Sequence, residues 1–214
     1  MGYMGRRSSH SPEELRGLIL RATSELVERD GYAGVSAREI ARSIGYSAGT
    51  LYNCFDHLDD LILHVEARVL DDLDQVLAAV VRTSTPEDHV RRLALCYLAF
   101  TLERPKLWNL LFEHHLPPSM VVPSWYQDKL NALLARVESA LRPLAAKTNE
   151  AELQRAARVL WAGVHGITSL ATAEKLSNVT HDTAQRLVDD LVTNYLAGMR
   201  ARAKKPVVAP SPSS

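Results

Sequence analysis

The residues with the most obvious chemistry are histidines. Glu113, His114 and His115 stand side by side, three metal-binding types in a row. Adjacent residues on a helix point about 100° apart and do not readily share one ion. His57 and His64 can share a helical face, but no third ligand stands at a matching spacing. There is no HExxH, no nucleophile elbow and no glycine-rich phosphate cradle. Cys54 and Cys96 form no CxxC pair and no zinc-finger spacing, which suits a reducing, cytoplasmic setting. An enzyme is therefore not expected, and neither is a metal or a cofactor.

A different chemistry is written in residues 36–55, SAREIARSIGYSAGTLYNCF. Ser36 and Glu39 make a capping box for a short helix that turns Ile40, Ala41 and Ile44 inward. Gly45 supplies the left-handed backbone of a tight turn. Ser47 can cap a second short helix, with Leu51 and Phe55 inward. Ala41 is small enough for the two helices to cross closely. Two short helices around such a turn make a helix-turn-helix, whose second helix enters the major groove by its N-terminal residues.

The elements that must position this motif are helices. Ser11-Pro12-Glu13-Glu14 and Thr85-Pro86-Glu87-Asp88 are strong helix starts, and Asn149 to Glu152 and Ser124 to Gln127 fit the same pattern. Three apolar stripes follow the helical period. They are Leu15, Leu18, Ile19, Ala22 and Leu26; Leu153, Ala156, Ala157, Leu160, Val164, Ile167 and Ala171; and Ala184, Leu187, Val188, Leu191, Tyr195 and Met199. Strand-like alternation is nowhere sustained, so the fold is expected to be all-α with about nine helices: 12–30, 37–44, 48–54, 59–82, 86–103, 105–115, 124–145, 150–175 and 182–203. The stretch 116–123, with three prolines, reads as a loop.

Composition agrees with a folded, membrane-free chain. Hydrophobic residues make up 46% of 214, and charged residues 23%. No apolar run approaches the roughly 18 residues of a membrane span. Acids and bases balance to zero net charge, so DNA binding must come from local geometry.

The run from Gly31 to Leu61, GYAGVSAREIARSIGYSAGTLYNCFDHLDDL, resembles the N-terminal signature of the TetR family. The match is dense across Leu15 to Leu61. It implies a three-helix DNA-binding domain over 11–57 and a helical-bundle ligand-binding and dimerisation domain over 58–204. A flexible arm (1–10) and a disordered tail (205–214) flank them. Thr50 and Tyr52 match recognition-helix residues that touch bases or phosphates, and Arg38 matches a position that reaches a base edge or phosphate. Ser36, Tyr46, Ser47, Ala48, Gly49 and Asn53 are further candidates, and Arg6 and Arg7 can add contacts from the arm. Where the family usually grips a phosphate with Lys, this chain has Leu58, with His57 as a weaker substitute. Residues 1–55 hold one more Arg than acids, so the electrostatic part of affinity is expected to be modest.

The C-terminal half resembles the family in layout and at two motifs. Pro105 to Phe112 is similar to a P-x-L-W-x-L-x-F helix, and Trp161 to Gly166 to the W-x-G-x-H-G signature of one subfamily. Gly163 and Gly166 each cost about 1 kcal/mol in a helix relative to Ala, a cost usually offset by close helix approach or room for a ligand. Tyr97, Phe100, Trp108, Phe112, His115, Trp125, Tyr126, Trp161 and His165 are the candidates for an apolar effector pocket with a few polar groups. Leu170, Val192 and Leu196 add apolar surface to the last two helices, which suits a four-helix dimer interface. The resemblance thus implies a homodimeric repressor that a small, mostly apolar ligand releases from a palindromic operator. Rival readings are redox regulation at Cys54 and a hairpin that binds protein rather than DNA.

Overall fold

The computed structural model describes residues 10–145 and 148–204; residues 1–9 of the expected arm, with Arg6 and Arg7, and the expected tail lie outside them. Among the described residues there are nine α-helices and no strand. They are α1 (Pro12–Asp30), α2 (Ala37–Ser43), α3 (Ala48–Leu51), α4 (Leu58–Ala78), α5 (Pro86–Glu103), α6 (Pro105–Glu113), α7 (Ser124–Leu141), α8 (Glu150–Thr172) and α9 (Ala184–Lys204). Short 3-10 turns lie at Tyr32–Gly34, Arg142–Leu144 and Leu176–Asn178. No described helix is long and apolar enough to cross a membrane.

Most helix starts follow the expected chemistry. Ser11 and Glu14 form a reciprocal capping box, and Thr85 and Asn149 accept from the backbone N–H groups of Asp88 and Glu152. At Ser36 half of the box forms: the hydroxyl accepts from Glu39 N–H at 3.2 Å, and the Glu39 carboxylate pairs with Arg42. Two expected caps are corrected. Ser124 is already helical, with Pro123 at the cap, and the Ser47 hydroxyl meets Thr50 Oγ1 instead of a backbone N–H.

Helix ends are where the period misleads. α4 stops at Ala78 rather than 82, α7 at Leu141 before Pro143, and α8 at Thr172. α6 ends at Glu113, because Pro117 and Pro118 bias the preceding chain away from helix. α3 is a single turn that continues as turns through Cys54, not a helix to 54.

The described residues divide into two compact units: residues 10–69 with 106–122, and residues 70–105 with 123–145 and 148–204. The first unit's core contains Ile19, Leu26, Val27, Ile40, Leu51, Phe55, Leu61, Val65, Leu107 and Leu110. In the second, α5 packs on α7, α8 and α9, and α8 packs on α7 and α9. Its core takes Leu98 from α5, Leu141 from α7, Leu153, Ala157, Leu160 and Val164 from α8, and Val188, Val192 and Leu196 from α9. Val192 and Leu196 are therefore not spare surface, as the sequence suggested. They sit in α9's buried stripe, whereas Leu170 is exposed. Surface pairs such as Arg91–Asp189 and Arg200–Glu87 clip α5 to α9, each contributing little in water.

Candidate nucleic-acid interface

The first unit holds the helix-turn-helix, and backbone constraints build it. Gly45 has φ +74°, the left-handed turn that the sequence demanded between α2 and α3. Leu51 and Phe55 are buried at 2% and 3% exposure, which fixes the face of α3 turned away from the protein. On that outward side Ser47, Gly49, Tyr52 and Asn53 are exposed, with Ala48 and Thr50 half-buried. Tyr52 is 52% exposed. Arg38 is exposed on α2, and Ser36 stands half-buried at that helix's start. A Cβ on Gly49 would meet only Ser47 Oγ, at 3.9 Å, so close backbone approach there is open to a partner.

Neighbouring side chains brace this surface. The Arg16 guanidinium, from α1, donates to the Cys54 carbonyl and lies 4.1 Å from the centroid of the Phe55 ring. Tyr46 Oη is 2.8 Å from His10 Nδ1. His57 caps α4: its Nδ1 accepts from Asp60 N–H at 2.9 Å, while Asp60 accepts from Asp56 N–H. The ring proton of His57 is thereby assigned to Nε2, which can donate to a phosphate. His64 does not join His57. It packs on Phe55, and burial followed by the Arg16 charge lowers its pKa below the ordinary histidine value.

The adjacent histidines go separate ways. His115 is exposed, 2.8 Å from its near neighbour Glu113's carbonyl oxygen. His114 is buried between Glu66 and Asp59 of α4. Sequence reasoning missed that cluster and also Arg16, since neither partner set lies at a helical spacing. Among the described residues no group of three or more His, Cys, Asp or Glu is arranged to hold a metal ion.

The expected effector residues are distributed over both units. Trp108, Phe112 and His115 belong to the first, where Trp108 is buried against the exposed Phe112. Tyr97, Phe100, Trp125, Tyr126, Trp161 and His165 belong to the second. There Tyr97 Oη lies 2.9 Å from His165 Nδ1, and the Trp161 ring stacks on His165 at 5.2 Å and 8°. Burial pushes the Tyr97 phenol far above its ordinary range, against a smaller opposing hydrogen bond with Trp161. Burial also lowers the pKa of His165. The trio is uncharged and apolar-faced, with one hydroxyl–imidazole pair inside it. Trp125 and Tyr126 form a separate edge-to-face pair.

Comparisons with known proteins agree with this architecture. Residues 19–65 match the family model for bacterial regulatory proteins of the tetR family, and residues 90–195 that for the tetracyclin repressor-like C-terminal domain. An HTH-type transcriptional regulator of Mycobacterium tuberculosis is 24% identical over 87% of this chain and 82% of its own length. A Rhodococcus protein of unknown function superposes with a TM-score of 0.72 at 22% identity, covering 91% of this chain and 98% of the other. A tetR-family transcriptional regulator from Streptomyces coelicolor gives 0.66 at 18% identity, covering 94% of each. With both halves matched in order along one chain, this protein belongs to the TetR family of transcriptional regulators, with α2 and α3 as its helix-turn-helix.

Proposed function

We propose that the protein is a homodimeric, cytoplasmic repressor, released from a palindromic operator by a small, mostly apolar ligand. The carrying observation is the outward face of α2 and α3. Arg38, Ser47, Gly49, Tyr52 and Asn53 are all exposed there while Leu51 and Phe55 anchor the motif behind them. Arg38 and Tyr52 would contact bases or phosphates, and Ser36, Tyr46, Ala48, Thr50 and His57 would complete the interface over residues 11–57.

Dimerisation would use α8 and α9. Val159, Ala162, Gly166 and Leu170 form one exposed stripe of α8, and Asn194, Ala197, Gly198 and Ala201 one of α9. Small residues at helical spacing let backbones of a second copy approach closely. The effector would be recognised in the second unit around Tyr97, Trp161 and His165, by stacking and by exchange of the hydroxyl–imidazole hydrogen bond. It would act by binding one conformer of the dimer better than another.

The test uses the intact protein and an operator duplex selected from random DNA. The double substitution Arg38→Ala, Tyr52→Ala is expected to cost roughly a hundredfold in affinity, at 1–3 kcal/mol per contact, with the dimer unchanged by sedimentation. Unchanged affinity would transfer the reading role away from these residues. Enrichment of no duplex at any salt concentration would favour a protein-binding hairpin instead.

A further inference from the structure

The reading unit contains a buried ionic cluster that lies outside its helix-turn-helix. His114 follows directly on the last residue of α6, and its side chain is 2% exposed. Its Nδ1 lies 2.8 Å from Glu66 Oε1 and its Nε2 3.2 Å from Asp59 Oδ1. The Glu66 side chain is itself 3% exposed. Carboxylate oxygens only accept, so both ring nitrogens can donate only when the imidazole carries both protons. A neutral ring would turn one lone pair toward a carboxylate oxygen in a poorly solvated place, where that repulsion is least screened. The two carboxylates take opposite sides of the ring and do not converge on a common point, which is the geometry of a bridge rather than of an ion site. The Tyr32 ring packs edge-on at 5.7 Å. Asp59 and Glu66 from α4 and the Tyr32 phenol from the preceding 3-10 turn are the titratable groups facing the imidazole.

The bridge sits where it can matter for DNA. Asp59 and Glu66 are seven residues apart on one face of α4, so the ring holds the first two turns of that helix at both ends. The segment just before them carries the exposed Tyr52 and Asn53 and is tied to α4 by the His57 cap. We infer that His114 is a positioning residue for operator reading: as an imidazolium bridging Asp59 and Glu66, it fixes the start of α4 and, through it, the attitude of α3. This rests on the DNA-reading role of α3 given above. Burial by itself would lower the pKa of His114; hydrogen bonding and attraction from Glu66 and then Asp59 outweigh it and hold the group above the ordinary histidine value. A raised folded-state pKa means that the bridge is complete below the ordinary value and lost as pH rises through the elevated one. Operator affinity is therefore higher on the acid side.

The experiment follows the affinity of the full-length protein for a selected operator duplex between about pH 6 and pH 9. Wild type, His114→Gln and Glu66→Gln are compared, with thermal unfolding in parallel. Wild type is expected to lose about tenfold in affinity across the range, the equivalent of one pKa unit. His114→Gln is expected to begin weak and stay flat within about twofold. Glu66→Gln, which keeps the shape and an acceptor, is expected to weaken binding and move the fall to lower pH; it carries the test should His114→Gln fail to fold. The unit's other histidines, His10, His57 and His64, are retained in His114→Gln, so an unchanged profile in that variant would assign the pH effect elsewhere and overturn the inference. Lower thermal stability with wild-type affinity of the folded fraction would also overturn it. Failure of the wild type to retain any duplex is a separate result, which removes the DNA-reading role and this inference with it.

Discussion

The two units each enclose a titratable histidine, and they hold it by opposite means. In the reading unit His114 is clasped between two carboxylates. In the second unit His165 is stacked on Trp161 and hydrogen-bonded to the Tyr97 hydroxyl. Burial disfavours the imidazolium in both places. Only in the first do neighbouring charges reverse the outcome, so the pKa of His114 lies above the ordinary value and that of His165 below it. The same side chain is thus flanked by two carboxylates in the unit that carries the helix-turn-helix and by neutral groups in the unit proposed to meet an apolar ligand.

The largest test of that contrast removes one partner from each site. Glu66→Ala leaves a buried imidazolium with only the partly exposed Asp59 carboxylate, and should destabilise the first unit by about 3 kcal/mol, the usual cost of breaking a buried ion pair. Tyr97→Phe removes only neutral hydrogen bonds, with His165 and Trp161, and should cost the second unit about 1–2 kcal/mol. Urea denaturation, with hydrogen exchange to assign the loss to a unit, measures both. Equal costs would mean that His114 is held by packing and not by charge.

A second test reads the sign of each pKa. Stability from the His114 bridge is complete below the ordinary histidine value and is lost as pH rises through its elevated folded-state value. Stability from a neutral, buried His165 is complete above the ordinary value and is lost as pH falls toward its depressed one. Nitrogen NMR of the two rings should therefore give midpoints on opposite sides of about 6.5. The measurement must be ring by ring, because His64 in the first unit is also lowered and would blur a whole-unit reading. Midpoints on the same side would collapse the contrast.

The reading unit was also the more legible of the two, for a physical reason. Its function depends on backbone features that only certain residues permit: a left-handed turn at Gly45, a Ser36 cap, and inward Leu51 and Phe55 at a helical spacing. Those constraints act over a few residues and are visible as types and spacings. What stayed hidden there was nonlocal. Glu66 meets His114 across 48 positions and Arg16 meets the Cys54 carbonyl across 38, and no period announces either. In the second unit the helices were legible from their stripes, but the face of α9 was not. Val192 and Leu196 carry the same apolar signal as a surface patch, and only packing against α5 and α8 decides that they are core. Aromatic residues were equally ambiguous: buried Tyr126 and half-buried Trp161 look alike in sequence, and only the stack on His165 separates the latter.

The smallest expected effect asks whether the second unit's uncharged character extends to its surface. α8 carries two interior glycines with different surroundings. A Cβ on Gly163 would come within 2.9 Å of Leu191 Cδ2, so α9 approaches closely there. A Cβ on Gly166 would meet nothing within 4 Å, and Gly166 lies on the exposed stripe with Val159, Ala162 and Leu170. In a lone subunit Gly166→Ala should therefore stabilise α8 by up to about 1 kcal/mol, from helix propensity alone. If a second copy packs its own helices against that stripe, the added methyl enters a contact between backbones, and dimer dissociation should become easier even as each subunit becomes more stable. Sedimentation over a dilution series separates the two effects, with thermal unfolding at low concentration giving the subunit term. A more stable subunit with an unchanged dimer would remove Gly166 from the interface and shift the search to the Asn194, Ala197 and Ala201 stripe of α9. A weakened dimer would place the subunit contact on an uncharged surface of small residues, in keeping with how His165 is held and unlike the charged clasp around His114.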